Sequence, residues 1–110
     1  MGLETRVVDG TAVVALTGDI DLQSSPAVRQ QLLASFEKHT NVVVDLAGVT
    51  YIDSSGVASL VEAFQVARKK SGHFALVSVS PAVMRVLSLA RLDRVFTIHP
   101  TVEAAVAAQS

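Results

Sequence analysis

The segment Asp53-Ser54-Ser55-Gly56 holds the chain's most reactive arrangement, a carboxylate followed by two hydroxyls and a glycine. It follows the apolar run Val42-Val43-Val44 and a short spacer, so the hydroxyls stand where a strand gives way to a helix. A helix start presents unpaired N–H groups and the positive end of the dipole. Two chemistries use that geometry. Ser54 or Asp53 can cap the helix. Alternatively, an exposed serine at a helix mouth can be phosphorylated, with the phosphate meeting the dipole. Gly56 costs a helix about 1 kcal/mol relative to alanine. Close approach of another protein to the backbone would explain it.

Other reactive types are less well arranged. Asp19 and Asp21 could form a carboxylate pair, but their spacing on a post-strand loop suits a turn. His39, His73 and His99 lie far apart, without metal-ligand spacing. A serine hydrolase would want Gly-x-Ser-x-Gly, whereas Ile52-Asp53-Ser54-Ser55-Gly56 lacks the first glycine and an evident partner histidine. No phosphate-binding glycine loop is present. The reading is a binding module, not an enzyme.

The elements that must position these residues emerge from periodicity. Glu4 to Asp9 and Thr11 to Thr17 are β-type runs about the turn Asp9-Gly10. Ser24-Ser25-Pro26 supplies a cap and a helix-start proline, with Val28, Leu32, Leu33 and Phe36 as the apolar face of the helix that follows. Asn41 to Leu46 reads as a central strand, with a short connection over 48–52. The second helix starts at Asp53-Ser54-Ser55, buries Val57, Leu60, Val61 and Phe64, and ends at Gly72 in the left-handed conformation. Ser55, Ala58, Ser59 and Glu62 then form its outer, small and polar face. His73 to Val79 is a strand, Ser80-Pro81 starts a third helix, Val95 to Ile98 is the last strand, and Pro100-Thr101 opens an alanine-rich helix. The order β-β-α-β-α-β-α-β-α predicts an α/β fold, a mixed but mainly parallel sheet with helices packed on it.

The 110 residues suit one domain over 1–110, and half of them are hydrophobic. Charged residues interrupt every apolar stretch before the roughly 18–20 residues of a membrane span, so no membrane insertion is expected. Nine basic against ten acidic residues provide no field to attract nucleic acid directly. Cysteine is absent, which fits a reducing, cytoplasmic compartment.

Three motifs together resemble one family. The run from Val42 to Gly56, Gly18-Asp19-Ile20-Asp21, and Ser80-Pro81-Ala82-Val83-Met84-Arg85-Val86-Leu87 are similar to signatures of the STAS-domain anti-sigma factor antagonists. Two positions depart from that pattern: Ala58 replaces a common second glycine, and Ala90-Arg91-Leu92 a common Thr/Ser-Gly-Leu. The resemblance implies that Ser54 is the phosphorylated serine, that Asp21 and Asp53 flank it, and that Ser55 shapes the helix start. It implies a cytoplasmic partner switch. The unphosphorylated form would bind an ATP-using serine kinase that is also an anti-sigma factor, and so free the sigma factor. Phosphorylation would end binding and a metal-dependent serine phosphatase would restore it, with no cofactor held by this chain. The docking face would comprise Ser55, Gly56, Ala58, Ser59 and Glu62 around Ser54. The same surface would serve a STAS subunit of another assembly, a lipid-transport complex or a kinase–phosphatase circuit without a sigma factor.

Overall fold

Three consecutive valines make sense only in a strand covered on both faces, and Val42, Val43 and Val44 are all fully buried. A computed structural model describes residues 1–109. Its elements are β1 (Gly2–Val8), β2 (Thr11–Ile20), α1 (Ser25–Lys38), β3 (Asn41–Ile52), α2 (Ser54–Lys69), β4 (His73–Val77), α3 (Pro81–Leu89), β5 (Thr97–His99) and α4 (Val102–Ala108). A single 3-10 turn, Leu92–Arg94, precedes β5. The sheet order is β1-β2-β3-β4-β5, with β1 antiparallel to β2 and all other pairs parallel. This is the mixed, mainly parallel α/β sheet that the element order predicts.

Strand alternation divides the core. Val14, Leu16, Val42, Val44, Phe74 and Leu76 pack against α1, α2 and α3. Val13, Val43, Ala75 and Val77 face the other way and are covered by Val102 and Ala105 of α4. Each large aliphatic side chain so buried contributes about 1.5–3 kcal/mol against exposure. The four phenylalanines form a chain across the first layer. Phe36 and Phe74 have centroids 6.1 Å apart, as do Phe74 and Phe96, while Phe64 meets Phe96 edge-on at 5.8 Å. Among the described residues, no helix is long and apolar enough to cross a membrane.

Residues 48–52 are not the connection that their glycine content suggests; β3 continues to Ile52 and β2 to Ile20. Gly48, Val49, Tyr51 and Ile52 pair with Thr17, Gly18, Asp19 and Ile20, and register shifts after Ala15 and Gly18 absorb the unmatched residues. Tertiary pairing thus overrides the glycine signal. Both strands end level, Ile20 beside Ile52.

The helix ends also differ from expectation. Ser24 makes no side-chain cap to α1, although Pro26 stands at the helix start as predicted. At the end of α2, Ser71 takes the left-handed turn at φ 55, not Gly72. Gly72 donates its N–H to Ala67 O at 2.8 Å and Ser71 to Arg68 O at 3.2 Å, closing the helix by the two bonds of a Schellman turn. Gly72 is required for space, because a Cβ there would collide with the carbonyl of Thr40. Lys70 crosses to donate its Nζ to Phe36 O, joining the ends of α1 and α2. Arg91 comes after α3 at φ 60, the position for which glycine is common in the resembled pattern.

An L-residue held in the left-handed region carries about 1–2 kcal/mol of strain that glycine relieves. Ser71→Gly and Arg91→Gly should therefore each raise the melting temperature by roughly 2–8 °C, read by circular dichroism. No rise at either position would mean that the side chain contributes more than its backbone strain.

Candidate functional site

Because β2 and β3 finish level, the loops that leave them run side by side. Asp53 N–H donates to Ile20 O at 3.1 Å, extending the strand ladder by one bond across the gap. The backbone of Asp53 is extended, with φ −108 and ψ −173, and its side chain turns back over the first turn of α2. Oδ1 accepts the N–H of Ser55 at 2.9 Å, the N–H of Gly56 at 3.1 Å and the hydroxyl of Ser55 at 2.5 Å. The cap is therefore Asp53. These bonds favour the ionised carboxylate and hold its pKa below the ordinary 3.8. The Ser55 hydroxyl acts most strongly, the Gly56 N–H next, and Leu22 N–H adds from the neighbouring loop, while partial desolvation opposes them.

The two serines are thereby separated in role. Ser55 is half-buried and its hydroxyl is committed to Asp53. Ser54 is exposed, and no described residue hydrogen-bonds its hydroxyl. Neither serine pairs with a histidine. Among the described residues, no group of three or more His, Asp or Glu side chains could hold a metal ion.

On the β2–α1 loop, Asp21 Oδ1 accepts the N–H of Gln23 at 3.0 Å and the N–H of Ser24 at 3.1 Å. Ser24 Oγ in return accepts the N–H of Asp21 at 2.9 Å. Asp21 shapes its own loop rather than bonding to Ser54, as suits the turn read from the spacing of Asp19 and Asp21. Asp19 accepts the Thr50 hydroxyl at 2.8 Å, tying the ends of the two strands. Leu22 projects from this loop at 75% exposure, and Tyr51 precedes the serines at 52%. Neither was singled out from sequence. An isolated leucine between Asp21 and Gln23, with no helical or strand partner, was the available signal.

Helix α2 turns the predicted stripe toward the core, with Val61 and Phe64 packed against it at partial burial, but its covered face extends further, over small residues. Gly56, Val57, Ser59, Leu60, Ala63 and Ala67 are buried, whereas Val61 and Phe64 are half-buried. Gly56 needs no outside protein to explain it. A Cβ there would stand 2.7 Å from both Ile20 Cγ2 and Ile52 Cγ1, and 3.1 Å from Ile20 O. The glycine lets the helix mouth rest on the ends of the two strands. Ser59, expected on the outer face, is also buried, and its Oγ lies 3.3 Å from Ser25 O and 3.2 Å from Ser55 O. Its single O–H can donate either across the seam to Ser25 O or back along α2 to Ser55 O.

What remains outward is the row Ser54, Ala58, Glu62, four residues apart on one helix face. Arg29 of α1 grips Glu62 with both nitrogens, Nε to Oε2 at 2.5 Å and Nη2 to Oε1 at 3.0 Å. The pair lowers the pKa of Glu62, chiefly through the hydrogen bond, and raises that of Arg29. Both side chains are well exposed, so the pair orients Glu62 more than it stabilises the fold.

Known proteins share this architecture. The family description "STAS domain" matches residues 2–105. The anti-sigma F factor antagonist of Paenibacillus polymyxa is 27% identical over 92 residues, covering 82% of this chain and 79% of that protein. The anti-sigma-B factor antagonist of Bacillus subtilis is 28% identical over 93 residues, covering 84% and 85%. The crystal structure of an anti-sigma factor antagonist from Mycobacterium paratuberculosis superposes with a TM-score of 0.88 at 30% identity, covering 98% of this chain and 92% of that one.

Substitutions at two positions test the internal geometry. Gly→Ala inside a helix ordinarily stabilises by about 1 kcal/mol. Gly56→Ala should do the reverse, because overpacking against Ile20 and Ile52 costs about 1–3 kcal/mol; a higher melting temperature would contradict the packing described. For Asp53, the folded pKa lies below the unfolded one, so its contribution is present above about pH 4 and lost as pH falls through the folded value. Asp53→Ala should lower the melting temperature by about 5 °C at pH 7. Asp53→Asn, which retains a capping oxygen, should lose less at pH 7 and show a shallower fall in stability below about pH 4.

Proposed function

We propose, from the premise that this chain belongs to the STAS-domain family, that it is an anti-sigma factor antagonist switched by phosphorylation at Ser54. Unphosphorylated, it binds an anti-sigma factor that is also an ATP-dependent serine kinase, and so releases the sigma factor. Phosphoryl transfer to Ser54 ends that binding and a serine phosphatase reverses it. The protein acts in the cytoplasm as a binding component, and the ATP and metal belong to its partners. One observation carries the reading. Of two adjacent serines at a helix mouth, Ser55 is locked to Asp53 while Ser54 is exposed with no intramolecular partner.

The energetics favour a switch at the interface. Phosphate adds about −1.5 to −2 charges at pH 7. It would find little help from the helix dipole, because Asp53 already takes the Ser55 and Gly56 N–H groups. It would also stand beside an ionised carboxylate. On a free, exposed Ser54 these repulsions are screened by water, and the fold persists. Under a docked partner the water is gone, and an unpaired charge costs on the order of 2–5 kcal/mol, a loss of roughly 30-fold to several thousand-fold in affinity.

Position supports the following residue roles. Ser54 accepts the phosphoryl group. Asp21, Asp53, Ser55 and Gly56 hold the two loops in shape beneath it, and Ser59 supports the helix from within. Ala58 and Glu62, joined by the exposed Leu22, present the docking surface.

Incubation with candidate serine kinases and ATP, with mass spectrometry as the readout, should place one phosphate on Ser54 and none on the Ser54→Ala variant. Phosphate on Ser55 would reassign the site. Ser54→Asp should weaken binding to the kinase partner by about 30-fold or more, with little change in melting temperature. Ala58→Trp and Glu62→Lys should weaken the same binding with the fold intact. Unchanged affinity in all three variants would sink the proposed docking face.

A further inference from the structure

Strand β1 is the one long edge of the sheet, with β2 on one side and no strand on the other. Its middle residues, Glu4, Thr5, Arg6 and Val7, are all exposed, and Val7 reaches 60%. Glu4 and Arg6 share one face of the strand. Their partners across to β2 are the uncharged Ala15 and Val13. Neither charge has an ion-pair partner among the described residues. Beyond the open edge there is room for a lateral neighbour that pairs with both charges.

We propose that this edge pairs with β1 of a second copy, antiparallel and with its two-fold axis at Thr5. The charges choose this register. Opposed about Thr5, Glu4 of each copy faces Arg6 of the other, and Leu3 faces Val7 on the opposite side of the strands. A slip of two residues either way sets Glu4 against Glu4 or Arg6 against Arg6, and like charges directly opposite are unfavourable. The same pairing satisfies the outer row of backbone N–H and C=O groups and joins two five-stranded sheets into one. It also places a second copy beside the groove between β1 and α1, lined by Thr5, Val7, Gln31, Ala34 and Lys38. The inference does not depend on Ser54 or on its phosphorylation.

Sedimentation equilibrium of the purified chain, from about 10 µM to about 1 mM, reads the association directly. A monomer–dimer equilibrium with its midpoint in that range is expected. Arg6→Glu and Glu4→Arg should each weaken it by about tenfold or more, with unchanged circular dichroism. The exchanged variant Glu4→Arg/Arg6→Glu should regain wild-type association. An equimolar mixture of the two single variants should form mixed dimers, because each supplies the charges the other needs. A wild-type chain that stays monomeric to about 1 mM would overturn the proposal. So would a dimer whose affinity ignores the charge reversals.

Discussion

A single carboxylate oxygen decides which hydroxyl of this protein faces water. Asp53 Oδ1 collects the Ser55 hydroxyl and the N–H groups of Ser55 and Gly56, and that choice starts α2 one residue later, at Ser54. A capped N-terminus needs an acceptor held close to its first N–H groups. Here the acceptor precedes the helix, so the first helical side chain is left on the outside with nothing to bind. The same bonds keep the carboxylate ionised. Charge is thus fixed beside the exposed Ser54 hydroxyl.

That oxygen could not act without the strands beneath it. β2 and β3 finish opposite one another only because register shifts after Ala15 and Gly18 bring Ile20 level with Ile52. Gly56 then seats the helix on those two isoleucines, where any Cβ would push it away. A methyl group at this place would tilt the helix mouth and move Asp53 off its three donors. Backbone freedom is not the reason for this glycine; contact distance is.

The rest of the molecule separates rigid from available surface. Small residues, Ser59 and Ala63, bring α2 close to its surroundings, and Ser59 answers Ser25 O along the seam with α1. The outward row of Ser54, Ala58 and Glu62 carries little apolar bulk of its own, and Arg29 holds Glu62 in one orientation. Leu22 exposes an apolar side chain on the adjacent loop. At the far margin, the charges of β1 have no ion-pair partner among the described residues. Reactive loop and open edge are distinct surfaces of one sheet.

Much of this was legible in the order of residues. Local rules are enough where short-range chemistry decides: the valine run, the Asp9-Gly10 turn with φ 48 and 79, and the Ser80 cap donated to by Val83 N–H at 3.3 Å. They also marked Asp53-Ser54-Ser55-Gly56 as the place where chemistry could occur. Where several elements compete for one position, local rules ran out. Residues 48–52 read as a loop by glycine content, yet pairing with β2 made them strand. Gly72 read as the left-handed stop, yet the carbonyl of Thr40 claimed its space and Ser71 took the turn. Ser59 read as outer surface, because helical periodicity gives a stripe but not the angle at which α1 meets it. Sequence alone determined which residue types surround the site. Only tertiary contacts decided which face of α2 is covered and that residues 48–52 are strand, since both depend on distances between chain segments that local order does not encode.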